Sequence, residues 1–193
     1  FPTRRSSDLL EIRCAWGPNH NYCFTTTALT SKIWLIYEDE DEEWQAKAVA
    51  DIGDVSLIPL PVDISISADD QQLWVNTWND GKTRLFDISD PHAPVQVMEE
   101  KIGAQINMVS QSWDGERVYF TSSLLANWDK VEAPEGEDLQ YFKAYDWKDG
   151  ALEHTFTIDF LAAKLGTPHQ MRFGAHALYT SNTSADKIKI AAK

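Results

Sequence analysis

His169 is the residue whose type and position most favour chemistry. It follows Gly166-Thr167-Pro168, where a loop leads into a predicted strand, and Arg172 stands three positions further on. Imidazole is a common metal ligand, and a neighbouring group usually orients the ring. Because side chains three positions apart lie on opposite faces of a strand, Arg172 is expected to hold a neighbouring loop. His169 is therefore the strongest candidate for a functional histidine; the alternative is a structural histidine that caps the strand.

A second group of candidates precedes the turn at Trp113-Asp114. Gln105, Asn107 and Met108 could orient a substrate or a bound water. The thioether of Met108 is also a chemically sensible neighbour for a soft metal ion. The alternative for all three is a packing role.

The other histidines have weaker claims. His176 stands seven positions after His169, an odd offset that places the two side chains on opposite strand faces. His20, His92 and His154 fall in a polar loop, a proline-bracketed turn and an outer strand, as surface or packing residues do. The sequence has no Ser-His-Asp order, glycine-rich phosphate loop or pair of catalytic carboxylates. Hydrolase and nucleotide-binding functions are therefore not supported, and no catalytic residue is assigned.

The elements that must position these side chains come from a repeat. Residues 66–77 and 111–122 share a Ser-x-Asp turn followed by an apolar strand, and the turn residues Ser67 and Ser112 are 45 residues apart. This is the length of one β-propeller blade. Strands with large residues on both faces are typical of sheets packed between neighbours. The sequence predicts an all-β fold, a partial β-propeller of about three four-stranded antiparallel blades out of seven.

Turn residues divide the chain into these strands. The clearest unit should have strands at 62–67, 72–78, 83–88 and 94–101, while the third unit carries an insertion around 133–138 and a fourth starts at Pro168. Two Trp-Asp dipeptides could indicate WD40 repeats, but the sequence lacks the Gly-His that precedes them. Tight turns, which favour Asp and Gly, are predicted at Asp69-Asp70, Asp80-Gly81, Asp114-Gly115 and Asp149-Gly150.

Four stretches of the chain are distinctive: DISISADD (63–70), TRLFDISDP (83–91), SWDGERVYFTSSL (112–124) with Trp128-Asp129, and HQMR (169–172). They occur in the same order in the selenium-binding protein and methanethiol oxidase family, which the chain resembles from residue 10 to about 175. The stretch around Gln105 and Met108 is similar to a Gln-Met region of that family, whereas Trp16 stands where several members carry a histidine.

The resemblance implies a function. In the family the matching His-x-x-Arg stretch supplies a histidine to a metal centre, copper in the bacterial methanethiol oxidases, so His169 would be a copper ligand. Arg172, Gln105, Asn107 and Met108 would then lie beside the metal or line the substrate site. The intact protein would oxidise methanethiol with O2 and water to formaldehyde, hydrogen sulfide and hydrogen peroxide. Its small-molecule partners would be the thiol and O2. The alternative is a non-catalytic propeller that binds a protein or a small molecule.

The chain divides into three regions. Residues 1–9 look like a translated sequencing adapter, residues 10–180 form the partial propeller, and residues 181–193 are a divergent or disordered tail. Because there is no initiator Met, we expect a piece of a larger protein that is inactive alone and whose partners include its missing N-terminal blades. The true N-terminus would carry any export signal; the bacterial periplasm is favoured over the cytoplasm.

Charge and hydropathy exclude some partners. The net charge of −13 would repel nucleic acids and anionic membranes. No run approaches the roughly 20 apolar residues of a membrane helix. The acidic run from Glu38 to Glu43 is expected at a solvated hairpin tip rather than at a calcium site. Cys14 and Cys23 are expected to be buried thiols, or a disulfide if their strands are neighbours.

Overall fold

A computed structural model of the chain describes residues 9–14, by backbone alone, and residues 21–123, 129, 132 and 134–171. These residues form twelve β-strands and one short 3-10 turn, Val55–Leu57. The strands are β1 (Leu9–Cys14), β2 (Tyr22–Thr27), β3 (Lys32–Glu38), β4 (Trp44–Asp51), β5 (Pro61–Ile66), β6 (Gln72–Thr77), β7 (Lys82–Asp87), β8 (Val95–Lys101), β9 (Ile106–Gln111), β10 (Arg117–Ser122), β11 (Tyr141–Lys148) and β12 (Ala151–Asp159).

The strands form three antiparallel sheets of four, β1 to β4, β5 to β8 and β9 to β12, each in chain order. The first strands of consecutive sheets lie side by side, β1 against β5 and β5 against β9. Blades of a propeller stack in this way around a central channel. The predicted all-β fold, a partial β-propeller with three four-stranded blades, is confirmed.

The repeated turns of the second and third sheets have the same hydrogen bonds. In each turn a serine N–H closes the hairpin, and an aspartate two positions later accepts the N–H two positions beyond itself, as an Asx turn does. These bonds explain why two copies of one short sequence pattern form the same hairpin. They are Ser67 N–H to Gln72 O (2.9 Å), Gln71 N–H to Asp69 Oδ1 (3.1 Å), Ser112 N–H to Arg117 O (2.9 Å) and Glu116 N–H to Asp114 Oδ1 (3.0 Å).

Apolar side chains fill the space between the sheets in two layers. Strand β6 contributes to both, because Leu73 and Val75 point into the layer shared with the first sheet and Trp74 into the layer shared with the third. Trp74 is fully buried and packs edge-on against Phe120 and Trp147, with ring centroids 6.3 and 5.1 Å away. The middle sheet is thus covered on both faces, as its continuous apolar strands predict.

The connection from the second sheet to the third is held by Gly81. Its carbonyl accepts hydrogen bonds from the N–H groups of Ile102 (3.0 Å) and Gly103 (3.3 Å). Gly81 has a left-handed backbone with a φ of 66°, and Gln105, just before β9, has a φ of 58°. This connection sets the start of β9 and therefore the position of Asn107, its second residue.

The first sheet bears on three expectations. Strand β1 begins at Leu9, whose Cα pairs with Thr27, one residue before the expected boundary. Cys14 and Cys23 are register partners on neighbouring strands, and Cys23 is disulfide-bonded, so the expectation of buried thiols is wrong and the disulfide alternative holds. The acidic run forms the tip between β3 and β4, where Asp39 Oδ1 accepts the N–H groups of Asp41 and Glu43, each at 3.0 Å.

Several predictions fall outside the described residues. They concern residues 1–8, Trp16, His20, Arg172, His176 and the tail from residue 181. Within the described part of the chain, no helix has the length and apolar character needed to span a membrane.

Candidate metal centre

His169 and Asn107 occupy corresponding positions in consecutive units. The carbonyl of Asn107 accepts a hydrogen bond from Asn76 Nδ2, and the carbonyl of His169 accepts one from Thr121 Oγ1, both at 2.8 Å. Asn76 lies on β6 and Thr121 on β10, and they are one repeat length, 45 residues, apart. His169 therefore stands at the start of a fourth unit, as the sequence predicts, one blade beyond Asn107.

The third sheet anchors the backbone around His169. Besides the bond from Thr121, Ser110 Oγ on β9 donates to the carbonyl of Met171 at 3.3 Å. Pro168 is buried, whereas the side chain of His169 is exposed. The backbone at this position is thus tied to the neighbouring sheet, while the imidazole remains accessible.

The imidazole of His169 has two polar neighbours at Nδ1. The carbonyl oxygen of Ser123 lies 2.9 Å from Nδ1, and Asn107 Nδ2 lies 3.3 Å from it. A carbonyl oxygen can only accept, so the shorter contact requires a proton on Nδ1. In the neutral ring the lone pair is then on Nε2, and a hydrogen bond at one ring nitrogen that leaves the other free is the arrangement found in metal-binding histidines.

Asn107 supports the same cluster from the third sheet. It is fully buried, and its Nδ2 donates to the carbonyl of Ser123 at 2.7 Å. Its Oδ1 is buried and has no hydrogen-bond partner among the described residues. Asn107 and His169 were both predicted from the sequence, and the structure brings them together through the carbonyl of Ser123.

The other predicted residues lie at varying distances from this cluster. Gln105 is buried just before β9, and Met108 is half-buried on β9. The polar atoms next to His169 Nδ1 are the Ser123 carbonyl oxygen and Asn107 Nδ2. Arg172 lies outside the described residues, so its predicted contact with a neighbouring loop stays a prediction.

Ser123 is the residue that sequence reasoning missed. It acts through its backbone carbonyl, which every residue type possesses, so its side chain gives no signal of the role. The only sequence signal is its position at the end of β10, directly after the repeated stretch 111–122.

The described residues do not form a complete metal site by themselves. Across residues 21–123, 129, 132 and 134–171, no group of three His, Cys, Asp or Glu side chains could hold a metal ion. Among the described residues no hydrogen bond is made to Nε2 of His169, and an imidazole nitrogen in that state fits copper, which favours imidazole ligands. Further ligands would have to come from outside the described part of the protein.

Comparison with known proteins decides the family. The model of the 56 kDa selenium-binding protein family matches residues 4–181. The chain belongs to this family. The match includes the cluster of Asn107, Ser123 and His169, as well as part of the segment 1–9 that was expected to be foreign.

Two curated relatives are named methanethiol oxidase. The chain is 64% identical over 172 residues to the protein of Ruegeria pomeroyi, which covers 89% of this chain and 39% of the relative. It is 57% identical over 166 residues to the protein of a Hyphomicrobium species, which covers 86% of this chain and 38% of the relative. The chain thus spans about two fifths of the length of these relatives.

Solved structures agree with the fold. A hypothetical selenium-binding protein from Sulfolobus tokodaii superposes with a TM-score of 0.68 at 29% identity, over 79% of this chain and 41% of that one. The β-propeller domain of Cps50 (Swd1) from Myceliophteria thermophila has a TM-score of 0.50 at 12% identity, over 78% of this chain and 43% of that one. The second likeness supports the propeller fold alone.

Proposed function

We propose that the protein to which this chain belongs is a methanethiol oxidase. It would convert methanethiol, O2 and water to formaldehyde, hydrogen sulfide and hydrogen peroxide, one of each. The enzyme class is supported by the family and by relatives that are named methanethiol oxidase, the two described above among them. The observation in this chain that carries the proposal is the hydrogen bond from His169 Nδ1 to the Ser123 carbonyl, which places the ring's lone pair on Nε2.

The proposed cofactor is copper, and this chain would contribute His169 Nε2 as one ligand. Copper would supply thiolate binding and electron transfer to O2. The Ser123 carbonyl, which Asn107 Nδ2 in turn binds, holds the imidazole plane, so that Nε2 keeps one direction. Gln105, Met108 and Arg172 are proposed to line the surroundings of the metal or the thiol.

The proposed partners are methanethiol, O2 and the rest of the same polypeptide, with no nucleic acid or membrane partner. The bacterial periplasm is the proposed location. The disulfide of Cys23 supports this, because disulfides persist in oxidising compartments and are rare in the cytosol.

The proposal is tested on the full-length protein. The purified protein should consume methanethiol and O2 in equal amounts and release formaldehyde, hydrogen sulfide and hydrogen peroxide. Removal of copper by a chelator should abolish the turnover, and added copper, but not zinc, should restore it. A full-length protein that holds no copper and does not oxidise thiols would overturn the proposal, and a non-catalytic binding propeller would take its place.

A further inference from the structure

The carbonyl that accepts from His169 belongs to a residue with an unusual backbone. Ser123 has a φ of 78°, in the left-handed region that residues with a Cβ rarely adopt. Strain of this kind is found where the surrounding structure fixes it, and it is concentrated at functional sites. The left-handed conformation follows directly after β10 and sets the direction of the Ser123 carbonyl.

The side chains of Asp129 and Asn107 hold Ser123 in this conformation, and Gln140 supports Asp129. The hydroxyl of Ser123 donates to Asp129 Oδ2 at 2.5 Å, and Gln140 Nε2 reaches the same oxygen at 3.5 Å. On the other side, Asn107 Nδ2 donates to the Ser123 carbonyl at 2.7 Å. Ser123 is 3% exposed, so these bonds are shielded from competing water.

The carbonyl and the amide of Asn107 have opposite effects on His169. Asn107 Nδ2 is a donor and would favour an unprotonated Nδ1, whereas the carbonyl demands a protonated one. The carbonyl is closer, at 2.9 against 3.3 Å. The direction of the Ser123 carbonyl therefore determines whether the proton of the neutral His169 ring lies on Nδ1 or on Nε2.

We infer that Ser123 is a positioning residue that selects the Nδ1–H tautomer of His169 through its left-handed backbone, with Asp129 as the anchor of its hydroxyl. The inference rests on the proposed role of His169, for which the tautomer leaves Nε2 as the electron-pair donor. It assigns the backbone of Ser123, rather than the hydroxyl itself, as the group that acts on the imidazole.

Two substitutions separate the backbone from the side chain. Glycine adopts a positive φ without a steric penalty, so Ser123→Gly should keep the carbonyl direction although the hydroxyl is lost. Alanine has the same steric penalty in the left-handed region as serine, but it lacks the hydroxyl that is bonded to Asp129 and that offsets this penalty. In Ser123→Ala the backbone should therefore leave the left-handed region, and the carbonyl should turn away from His169. If the serine served packing only, alanine would be the milder change.

The measurement is the ¹⁵N spectrum of the His169 imidazole in metal-free, full-length protein, at a pH above the range in which histidine titrates. His169→Gln identifies the signals. Wild type and Ser123→Gly should show the Nδ1–H form, and Ser123→Ala should lower the ratio of Nδ1–H to Nε2–H by roughly tenfold. Asp149→Ala is the matched control, because Asp149 has a φ of 50° in the distant turn between β11 and β12 and should leave the spectrum unchanged.

Either of two results overturns the inference: a wild-type spectrum in Ser123→Ala, or a loss of the Nδ1–H form in Ser123→Gly equal to that in Ser123→Ala. If Ser123→Ala does not fold, Asp129→Ala replaces it and should shift the ratio in the same direction; no shift would overturn the inference. Copper affinity is measured in parallel. A tautomer shift as expected in a protein that binds no copper would uphold the role of Ser123 and refute the copper proposal.

Discussion

Gly81 offers a quantitative test of how the second sheet positions the candidate site. A Cβ built on Gly81 would lie 2.3 Å from the carbonyl oxygen of Gly103, a backbone atom in the connection that leads to Asn107. Gly150 is a matched control, since its φ of 80° is also left-handed but a Cβ there would meet nothing within 4 Å. Comparing alanine at the two positions isolates the steric contact from the backbone preference.

The expected changes in the free energy of unfolding combine the backbone preference and the steric contact. Alanine in the left-handed region costs about 1–2 kcal/mol, and this applies to both glycines. The forced displacement of the Gly103 carbonyl should add about 1–3 kcal/mol, as overpacking of a close contact does. Gly150→Ala should therefore lower the free energy of unfolding by about 1–2 kcal/mol, and Gly81→Ala by about 2–5 kcal/mol.

Urea denaturation of the full-length protein measures the free energies, and hydrogen exchange shows where the loss occurs. In Gly81→Ala the amides of Ile102 and Gly103, which donate to the Gly81 carbonyl, should exchange faster than in wild type. In Gly150→Ala they should exchange at the wild-type rate. Equal losses of stability in the two variants, with equal protection of these amides, would refute the proposed packing of the turn against the connection.

Three further predictions follow from burial and from the chain ends. Burial and, to a smaller extent, the charge of Glu100 raise the pKa of Tyr145 from 10.0 to about 12. Because the unfolded chain loses this proton at a lower pH than the folded protein does, the free energy of unfolding should fall as the pH rises from 10 to 12, and it should fall less in Tyr145→Phe. Asp63 Oδ2 on β5 accepts a hydrogen bond from the N–H of Val109 on β9, in the next sheet, at 2.7 Å. Asp63→Ala should lower the free energy of unfolding, measured by urea denaturation, by about 1–3 kcal/mol. If it lowers that free energy no more than Asp90→Ala, a change in an exposed turn, this hydrogen bond does not have the expected role. Deletion of residues 1–8 should leave the melting temperature unchanged, and a loss of several degrees would mean that they pack on the first sheet.

The fold was predictable because its information is local and repeated. Asp69 and Asp114 each fix a tight turn by bonds to residues two positions away, and the strands between the turns are continuously apolar, as burial on both faces requires. Predicted and observed strands of the second sheet agree within one residue. The pairing of Cys14 with Cys23 could not be decided in the same way, because it depends on the register between β1 and β2.

The site was predictable in part. His169 and Asn107 carry side chains whose chemistry suggests a role, and the repeat explains why they meet, since they occupy the same position in consecutive units. Ser123 was not predictable, because it contributes a backbone carbonyl whose direction depends on its left-handed φ. A left-handed backbone is visible in the sequence where a turn favours glycine, but at Ser123 the residue type gives no sign of it.

The central claim is that His169 is a copper ligand of a methanethiol oxidase, and copper content per polypeptide tests it most directly. The measurement compares full-length wild type, His169→Ala and His92→Ala, after identical loading and removal of excess metal. His92 is an exposed histidine that packs against Tyr37, with ring centroids 4.6 Å apart, and serves as the control. Wild type and His92→Ala should retain copper, while His169→Ala should fold and retain little or none. Normal copper content in His169→Ala would contradict the account and leave His169 with a structural role alone.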